Sequence, residues 1–147
     1  MNGLTALLQA AASNLSGHTC RVRWRRPART DARALCFKSG NLAVIDLHPN
    51  LAWEGDELLY TIAHEAGHVR DLWHEWGEGI TDLPSGSITP PTWANDLPGI
   101  KQVEAVADNQ AERWLKYAKE NYMRFIVPGA PNDEFTLYLR ALANWRK

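Results

Sequence analysis

The first half of the chain shows two kinds of apolar periodicity. From about residue 2 to 15, leucine and alanine recur at helical spacing and predict an N-terminal helix. In the run CRVRWRR, which begins at Cys20, alternation of arginine with apolar residues predicts a half-buried strand. Two further apolar runs flank a Ser-Gly-Asn turn and predict a hairpin from Ala34 to Leu47. Together these runs predict a small antiparallel three-stranded sheet over about residues 20–48.

The pattern becomes helical again after Pro49. Asp56 is a suitable N-cap residue, and from Glu57 the run ELLYTIAHEAGHVRDLWHEW carries apolar residues at helical spacing, which predicts a helix over about 57–75. The following segment, about 77–99, contains four prolines together with glycine and serine, so a long loop is expected there. Loops of this length in compact domains are usually functional or disordered.

Two more helices are predicted towards the C-terminus. The alanine-rich run KQVEAVADNQAERWLKYAKE predicts a helix over about 100–120, whose small residues would let it approach another helix closely. After the turn PGAP, Asn132 or Asp133 can cap a last helix over about 133–146. The expected fold class is α+β, with the small sheet packed on a helix pair and flanking helices.

Composition limits the size and the partners of the protein. The chain has 147 residues, 45% of them hydrophobic, so residues 1–147 are expected to form a single domain around one core. The formal net charge is -1, from 16 basic and 17 acidic residues, which gives no global reason to expect nucleic acid or a membrane as partner. The N-terminal helix lacks the basic start of a signal peptide, and no apolar run is long enough to span a membrane. We therefore expect a cytoplasmic protein, and its oligomeric state stays open.

Arginine and cysteine are concentrated near the predicted sheet. Six arginines lie from Arg21 to Arg33, opposed by one acid. They could bind a nucleic-acid backbone, although a charged strand edge protected against aggregation is favoured. Cys20 and Cys36 suit neither a disulfide framework nor a CxxC metal clip, so buried thiols are expected. A bridge between them would require their strands to be neighbours.

The run HEAGH, from His64 to His68, carries the clearest chemical signal. Residues four positions apart on a helix lie on one face, one turn apart, so both imidazoles can reach a single ion. Glu65 follows His64 in the same turn. This is the HExxH arrangement, in which the glutamate takes a proton from the water that the metal activates and does not bind the metal itself.

A catalytic zinc ion needs a third protein ligand, and the sequence offers two candidates. His74 has the spacing of the metzincin pattern HExxHxxGxxH, but Asp71 stands at the glycine that lets the chain turn. If the helix continues through Asp71, His74 projects about 240° around the axis from His68 and cannot bind the same ion. The other candidate is Glu104 in the run EAVAD.

Glu104 and Asp108 share one face of their predicted helix, a turn apart. Glu104 would bind the metal, and Asp108 would accept a hydrogen bond from the outer nitrogen of a ligand histidine. The alanines around them leave room for this helix to press against the helix that carries HEAGH. An acidic pair on a solvated helix surface is the alternative.

HEAGH followed some tens of residues later by EAVAD resembles the gluzincin metallopeptidases, and most of all the ImmA/IrrE type carried by phages and mobile elements. The resemblance covers Leu42 to about Lys119. It implies a zincin-like helix pair, one zinc ion bound by His64, His68 and Glu104, and Glu65 as general base. It also implies that the run LAVIDL is the strand along which an extended peptide substrate lies.

The resulting functional prediction is zinc-dependent hydrolysis of a peptide bond in a cytoplasmic protein. A donor for the developing oxyanion is also needed, and His74 is the first choice by type, ahead of His48, Tyr60 and Arg70. The alternative is a non-catalytic phage or mobile-element interaction or inhibitor protein that retains the fold, with zinc as a structural clamp. Glu65 favours catalysis, whereas His74 as a fourth ligand would favour the clamp.

Overall fold

A computed structural model of the chain describes residues 3–27, 33–49, 53, 55–73 and 98–146, with the backbone alone for 98–103. Three strands and four α-helices make up the regular structure of these residues. They are α1 (Gly3–Ser16), β1 (Cys20–Trp24), β2 (Ala34–Ser39), β3 (Leu42–Leu47), α2 (Gly55–Leu72), α3 (Pro98–Asn121), a 3-10 helix (Tyr122–Phe125) and α4 (Glu134–Ala143). The predicted α+β class is confirmed.

The sheet is mixed, with the strand order β1-β3-β2. β3 pairs antiparallel with β2 and parallel with β1, so the prediction of an antiparallel sheet is wrong for β1. The alternation in CRVRWRR shows which side chains are buried, but it contains no information about the neighbour or the direction of the strand. β1 instead runs beside β3 in the same direction, with Val22 opposite Ile45.

The central position of β3 overturns one expectation drawn from the resemblance. β3 is the LAVIDL strand, and both of its edges are paired within the sheet. An extended peptide therefore cannot form main-chain hydrogen bonds along it. Among the described strands, β2 has a single sheet neighbour and also contacts α2.

The β2–β3 hairpin agrees with the prediction. Ser39 pairs with Leu42, so two residues form the turn. Gly40 has a φ of 61°, and no non-glycine residue of the described chain has a positive φ. Positive φ at the first central position alone is the pattern of a type II′ turn, for which glycine is the suitable residue.

The helix ends differ from the predicted bounds by a few residues. α2 begins at Gly55, so Asp56 lies in its first turn and is not the N-cap. α3 begins at Pro98, where a missing backbone N–H costs nothing. Asp133 caps α4 as expected, since its side chain accepts a hydrogen bond from Thr136 N at 3.1 Å. Of the loop predicted over 77–99, residues 98 and 99 belong to α3, because proline suits the first turn of a helix, and residues 77–97 lie outside the described residues.

One face of the sheet packs on the helices and forms the core. Cys20, Ile45 and Cys36, one from each strand, are buried in the same cluster as the apolar residues of α1 and α2. Trp114 of α3 is 1% exposed and closes this core from the far side of α2. Within the described residues, no helix combines the length and the apolarity needed to cross a membrane.

The cysteines are both buried and both free. β3 lies between their strands, and two inter-strand spacings amount to about 9.6 Å. This is beyond the Cα separation that a disulfide can bridge. Cys20 and Cys36 therefore act as small buried side chains, and burial raises the pKa of the Cys20 thiol.

The arginine cluster is partly neutralised. Arg23 forms a bidentate pair with Asp46 of β3, at 2.7 Å from Nε and 2.9 Å from Nη2, and this hydrogen-bonded pair raises the pKa of Arg23. Arg33 pairs with Glu57 of α2. Arg21 and its neighbours at 25 and 26 are exposed on or just after β1, whose one sheet neighbour among the described strands is β3. These positions agree with a charged strand edge.

Candidate metal centre

The HEAGH residues occupy the middle of α2, and its two histidines lie on the face that meets α3. Tyr60, His64 and His68 follow one another at four-residue spacing, so they form a row along one face of the helix. His64 is 9% exposed and His68 1% exposed. Two ionisable side chains are therefore buried in a helix-helix contact, where they need polar partners.

α3 supplies those partners because it approaches α2 closely. A Cβ added to Gly67 would lie 3.6 Å from the Cα of Ala107. Ala107 and Ala111 are buried on the same side of α3, and the absence of larger side chains there permits the contact. Glu104 and Asp108 flank Ala107 and form a second row that faces the row on α2.

Three ligand-type side chains meet between the two rows. His68 Nε2 lies 3.0 Å from Glu104 Oε1, His64 Nε2 lies 3.2 Å from Glu104 Oε2, and the two Nε2 atoms are 3.1 Å apart. Two ligands bound tetrahedrally to one zinc ion at 2.0–2.1 Å lie about 3.3 Å from each other. The three separations are close to this value, so His64, His68 and Glu104 could hold a metal ion as three protein ligands.

The electrostatics of the cluster also suit a cation. Burial by itself lowers the pKa of His64, but a hydrogen bond to Glu104 and the negative charges of Glu65, Glu104 and Asp108 outweigh it and raise that pKa to about 9. Burial raises the pKa of Glu104, and its contacts with the two histidines reverse this and lower it to about 2. Surroundings that stabilise a proton on His64 would stabilise a divalent ion as well.

Asp108 and Tyr60 lie beside the His64 ring. Its Nδ1 lies 2.9 Å from Asp108 Oδ1. The Tyr60 hydroxyl donates a hydrogen bond to the same oxygen, and burial together with this bond raises the pKa of Tyr60. The Tyr60 and His64 rings are stacked, with centroids 6.0 Å apart. Asp108 thus lies within reach of the outer nitrogen of His64, but Nδ1 makes no hydrogen bond in this structure, so the predicted role of Asp108 stays a prediction.

Glu65 lies beside the cluster but does not belong to the ligand set. It is 2% exposed, and its charge acts on His64. Its backbone carbonyl faces β2, where the Cys36 thiol lies 4.0 Å from it. This position, next to the ligands and on the side of the helix nearer to the sheet, is compatible with the predicted role of a general base.

The structure describes three of the four candidates for the oxyanion donor. The Arg70 guanidinium pairs with Asp71 and lies over the Trp114 ring, 5.4 Å from its centroid, so it is already engaged by other residues. Tyr60 lies at the site, but its hydroxyl proton is engaged by Asp108. For His48, the backbone carbonyl accepts a hydrogen bond from the Trp53 indole at 3.0 Å. His74 lies outside the described residues, so its predicted roles stay predictions.

The contact between Tyr60 and Asp108 was not predicted, because Tyr60 was considered only as an oxyanion donor. A signal for it exists in the sequence: Tyr60 precedes His64 by the same four residues that separate His64 from His68. The aromatic ring at that position is also compatible with ordinary core packing, and the pairing depends on the register between two distant helices.

Comparison with models of protein families, with curated proteins and with solved structures finds no match to this chain.

Proposed function

We propose that this chain is a zinc-dependent metallopeptidase of the gluzincin type, which hydrolyses a peptide bond in a cytoplasmic protein. The observation that carries the proposal is the meeting of His64 Nε2, His68 Nε2 and the Glu104 carboxylate at separations of 3.0–3.2 Å. Two helices contribute to this set, and a general-base candidate adjoins it. Two histidines, one carboxylate and an open position are the ligand set of a catalytic zinc ion.

In this proposal the ion supplies Lewis acidity: when bound, zinc would polarise the scissile carbonyl and lower the pKa of the attacking water. Glu65 takes the proton from that water and transfers it to the leaving amine. The burial of Glu65 keeps bulk water away from its carboxylate and strengthens its interaction with nearby charges. Asp108 Oδ1 lies 2.9 Å from His64 Nδ1, and a hydrogen bond formed between them would hold the ring and leave Nε2 to bind the ion.

We propose β2 as the strand that aligns the substrate. β3 is paired on both sides, whereas β2 contacts α2 and has one sheet neighbour among the strands described. A peptide added to β2 would run beside the helix that carries Glu65, close to the ligand cluster. Main-chain hydrogen bonds to a sheet edge bind peptides with little regard to sequence, which suits a protease.

The first test is the metal content of the purified protein, measured by mass spectrometry after zinc loading. We expect one zinc ion per chain, lost in Glu104→Ala and retained in His74→Ala. Glu120→Ala is the matched control, since Glu120 is an exposed glutamate of the same helix. Loss of zinc in His74→Ala alone would identify His74, and not Glu104, as the third ligand. The absence of zinc from every sample would refute the metal site.

The second test separates catalysis from a structural clamp. Glu65→Gln keeps the size of the side chain and removes its basicity, so we expect it to retain zinc and to lose turnover of an unstructured peptide library by about 10²–10⁴-fold. Equal, negligible cleavage by the unmodified protein and by Glu65→Gln, both with one zinc ion, would favour the non-catalytic interaction protein. Reduced turnover in His74→Ala with zinc retained would support His74 as oxyanion donor.

A further inference from the structure

Five polar side chains form a ladder between α2 and α3. His68 faces Glu104, His64 faces both Glu104 and Asp108, and Tyr60 faces Asp108. Residue numbers thus increase along α3 as the facing residue numbers decrease along α2, so the two helices run antiparallel. The metal ligands account for one end of the ladder, and Tyr60 occupies the other end without a place in the ligand set.

We propose that Tyr60 is a positioning residue of the metal centre: its hydroxyl fixes Asp108 against His64 Nδ1 and thereby sets the orientation in which His64 presents Nε2 to the ion. This inference rests on the proposed function, since it requires that the cluster binds a metal. It goes further in assigning a role to a tyrosine that is neither a ligand nor a group in contact with substrate.

The geometry supports this role because one carboxylate oxygen lies next to both neighbours, bonded to Tyr60 and within reach of His64 Nδ1, which makes no hydrogen bond in this structure. Asp108 Oδ1 accepts the Tyr60 hydrogen bond and also lies 2.9 Å from His64 Nδ1. The Asp108 side chain is 47% exposed, so packing alone does not hold it in one rotamer. A second anchor on the same oxygen restricts the carboxylate, and a restricted partner fixes the tautomer and the ring orientation of the histidine.

The Tyr60 ring adds a second restraint. It is stacked on the His64 imidazole, with the planes inclined at 28°. The hydroxyl and the ring therefore act on the same histidine, one through Asp108 and one by direct contact. Tyr60→Phe removes only the first of these, since it keeps the ring.

The experiment compares zinc affinities by competition with a chromophoric chelator. Tyr60→Phe should bind one zinc ion at saturation but with about tenfold lower affinity, the lower end of the range for losing an outer partner of a ligand histidine. Tyr138→Phe is the matched control, because the Tyr138 hydroxyl also donates to a carboxylate, that of Glu134 on α4, away from the ligands. We expect this control to remain within about twofold of the unmodified protein.

A double-mutant cycle tests whether Tyr60 acts through Asp108. Asp108→Ala should lower the zinc affinity at least as much as Tyr60→Phe does. In the Asp108→Ala background, Tyr60→Phe should have no further effect, because the group through which it acts is gone. Equal losses from Tyr60→Phe in both backgrounds, or a smaller loss in Asp108→Ala than in Tyr60→Phe, would overturn the inference.

Cobalt substitution gives an independent readout. The visible absorption of bound Co²⁺ depends on ligand orientation, so Tyr60→Phe should shift the spectrum while Tyr138→Phe leaves it unchanged. If the unmodified protein binds zinc tightly and Tyr60→Phe matches it in affinity and spectrum, the positioning role is wrong and the proposed function stands. If the unmodified protein binds no zinc, both are wrong.

Discussion

At the scale of single residues, Gly67 and Asp133 show how local surroundings determine what a side chain contributes to stability. Gly67 lies between the ligand histidines of α2, at the close approach to α3, and its sequence position suggests that it is needed for space. The contacts say otherwise: a Cβ there would meet Ala107 at 3.6 Å and Trp114 at 3.9 Å, which are ordinary van der Waals distances.

Gly67→Ala should therefore raise the free energy of unfolding by about 0.5–1 kcal/mol, because alanine loses less backbone entropy than glycine in a helix and its methyl fits. Urea denaturation in the presence of a chelator measures this. Gly67→Leu is the contrasting variant, since the larger side chain overpacks the helix contact and should cost about 1–3 kcal/mol. A loss of stability in Gly67→Ala would show that the helices are closer than described.

Asp133 illustrates a cap whose value depends on pH. The side-chain and backbone hydrogen bonds from Thr136 lower the pKa of Asp133 below that of the unfolded chain. A carboxylate whose pKa is lower in the folded than in the unfolded protein stabilises the fold at pH values above the pKa of the unfolded chain. This stabilisation is lost as the pH falls through the pKa of the folded protein. Asp133→Ala should cost about 1 kcal/mol at pH 7.

The difference between Asp133→Ala and the unmodified protein should shrink as the pH falls below about 4, where the carboxylate takes up a proton. Denaturation midpoints at pH 7, 5 and 3 measure it. Thr136→Ser keeps a hydroxyl donor to Asp133 and serves as the control. A pH-independent difference would contradict the assignment of the cap to the charged form.

At the scale of elements, β1 shows that the sequence predicts a strand but not its neighbour in the sheet. The alternation of apolar and arginine residues predicted a strand and its buried face, and both are confirmed. Strand order depends on which backbone edges meet, and identical alternation is compatible with either edge of β3. A short turn fixes the β2–β3 pairing, whereas nothing local fixes β1, so its parallel placement could not be predicted.

The Arg23–Asp46 pair links β1 to β3 at this parallel register. Asp46 is 4% exposed, so Arg23→Ala would leave a buried carboxylate with its main partner removed. We expect a loss of about 1–3 kcal/mol in the free energy of unfolding. Arg21→Ala on the same face of β1 is the matched control, and as an exposed residue it should change stability by less than about 0.5 kcal/mol. Equal effects of the two variants would exclude a specific role for the pair.

At the scale of the whole molecule, the metal centre depends on two helices that the sequence places far apart. That His64 and His68 share one face of a helix followed from their spacing. The same holds for Glu104 and Asp108. That these two faces meet was a hypothesis drawn from the alanines around Glu104 and from the resemblance, and the sequence alone could not establish it because helix periodicity fixes a face and not its partner. The register that brings Tyr60 onto Asp108 likewise depends on which residues of the two helices meet, with Gly67 facing Ala107 at the contact.

Zinc should stabilise the folded protein, because the ligand set exists only when α2 and α3 are packed. At a free zinc concentration of 100 times Kd, the free energy of unfolding should rise by about 2.7 kcal/mol, or roughly 8 °C in Tm. Differential scanning fluorimetry with and without zinc measures this. Glu104→Ala should lose the shift and Glu120→Ala should keep it, while an equal shift in both would indicate binding elsewhere.

The long sequence separations within the ladder also order the events of folding. His68 and Glu104 are 36 positions apart and Tyr60 and Asp108 are 48 apart, whereas two residues join β2 to β3. Closing a longer loop costs more chain entropy, so we expect the hairpin to form early and the helix pair to meet late. An ion that finds its ligands only after the rate-limiting step leaves the folding rate unchanged and slows unfolding. Zinc would then extend the lifetime of each folded molecule without hastening its formation.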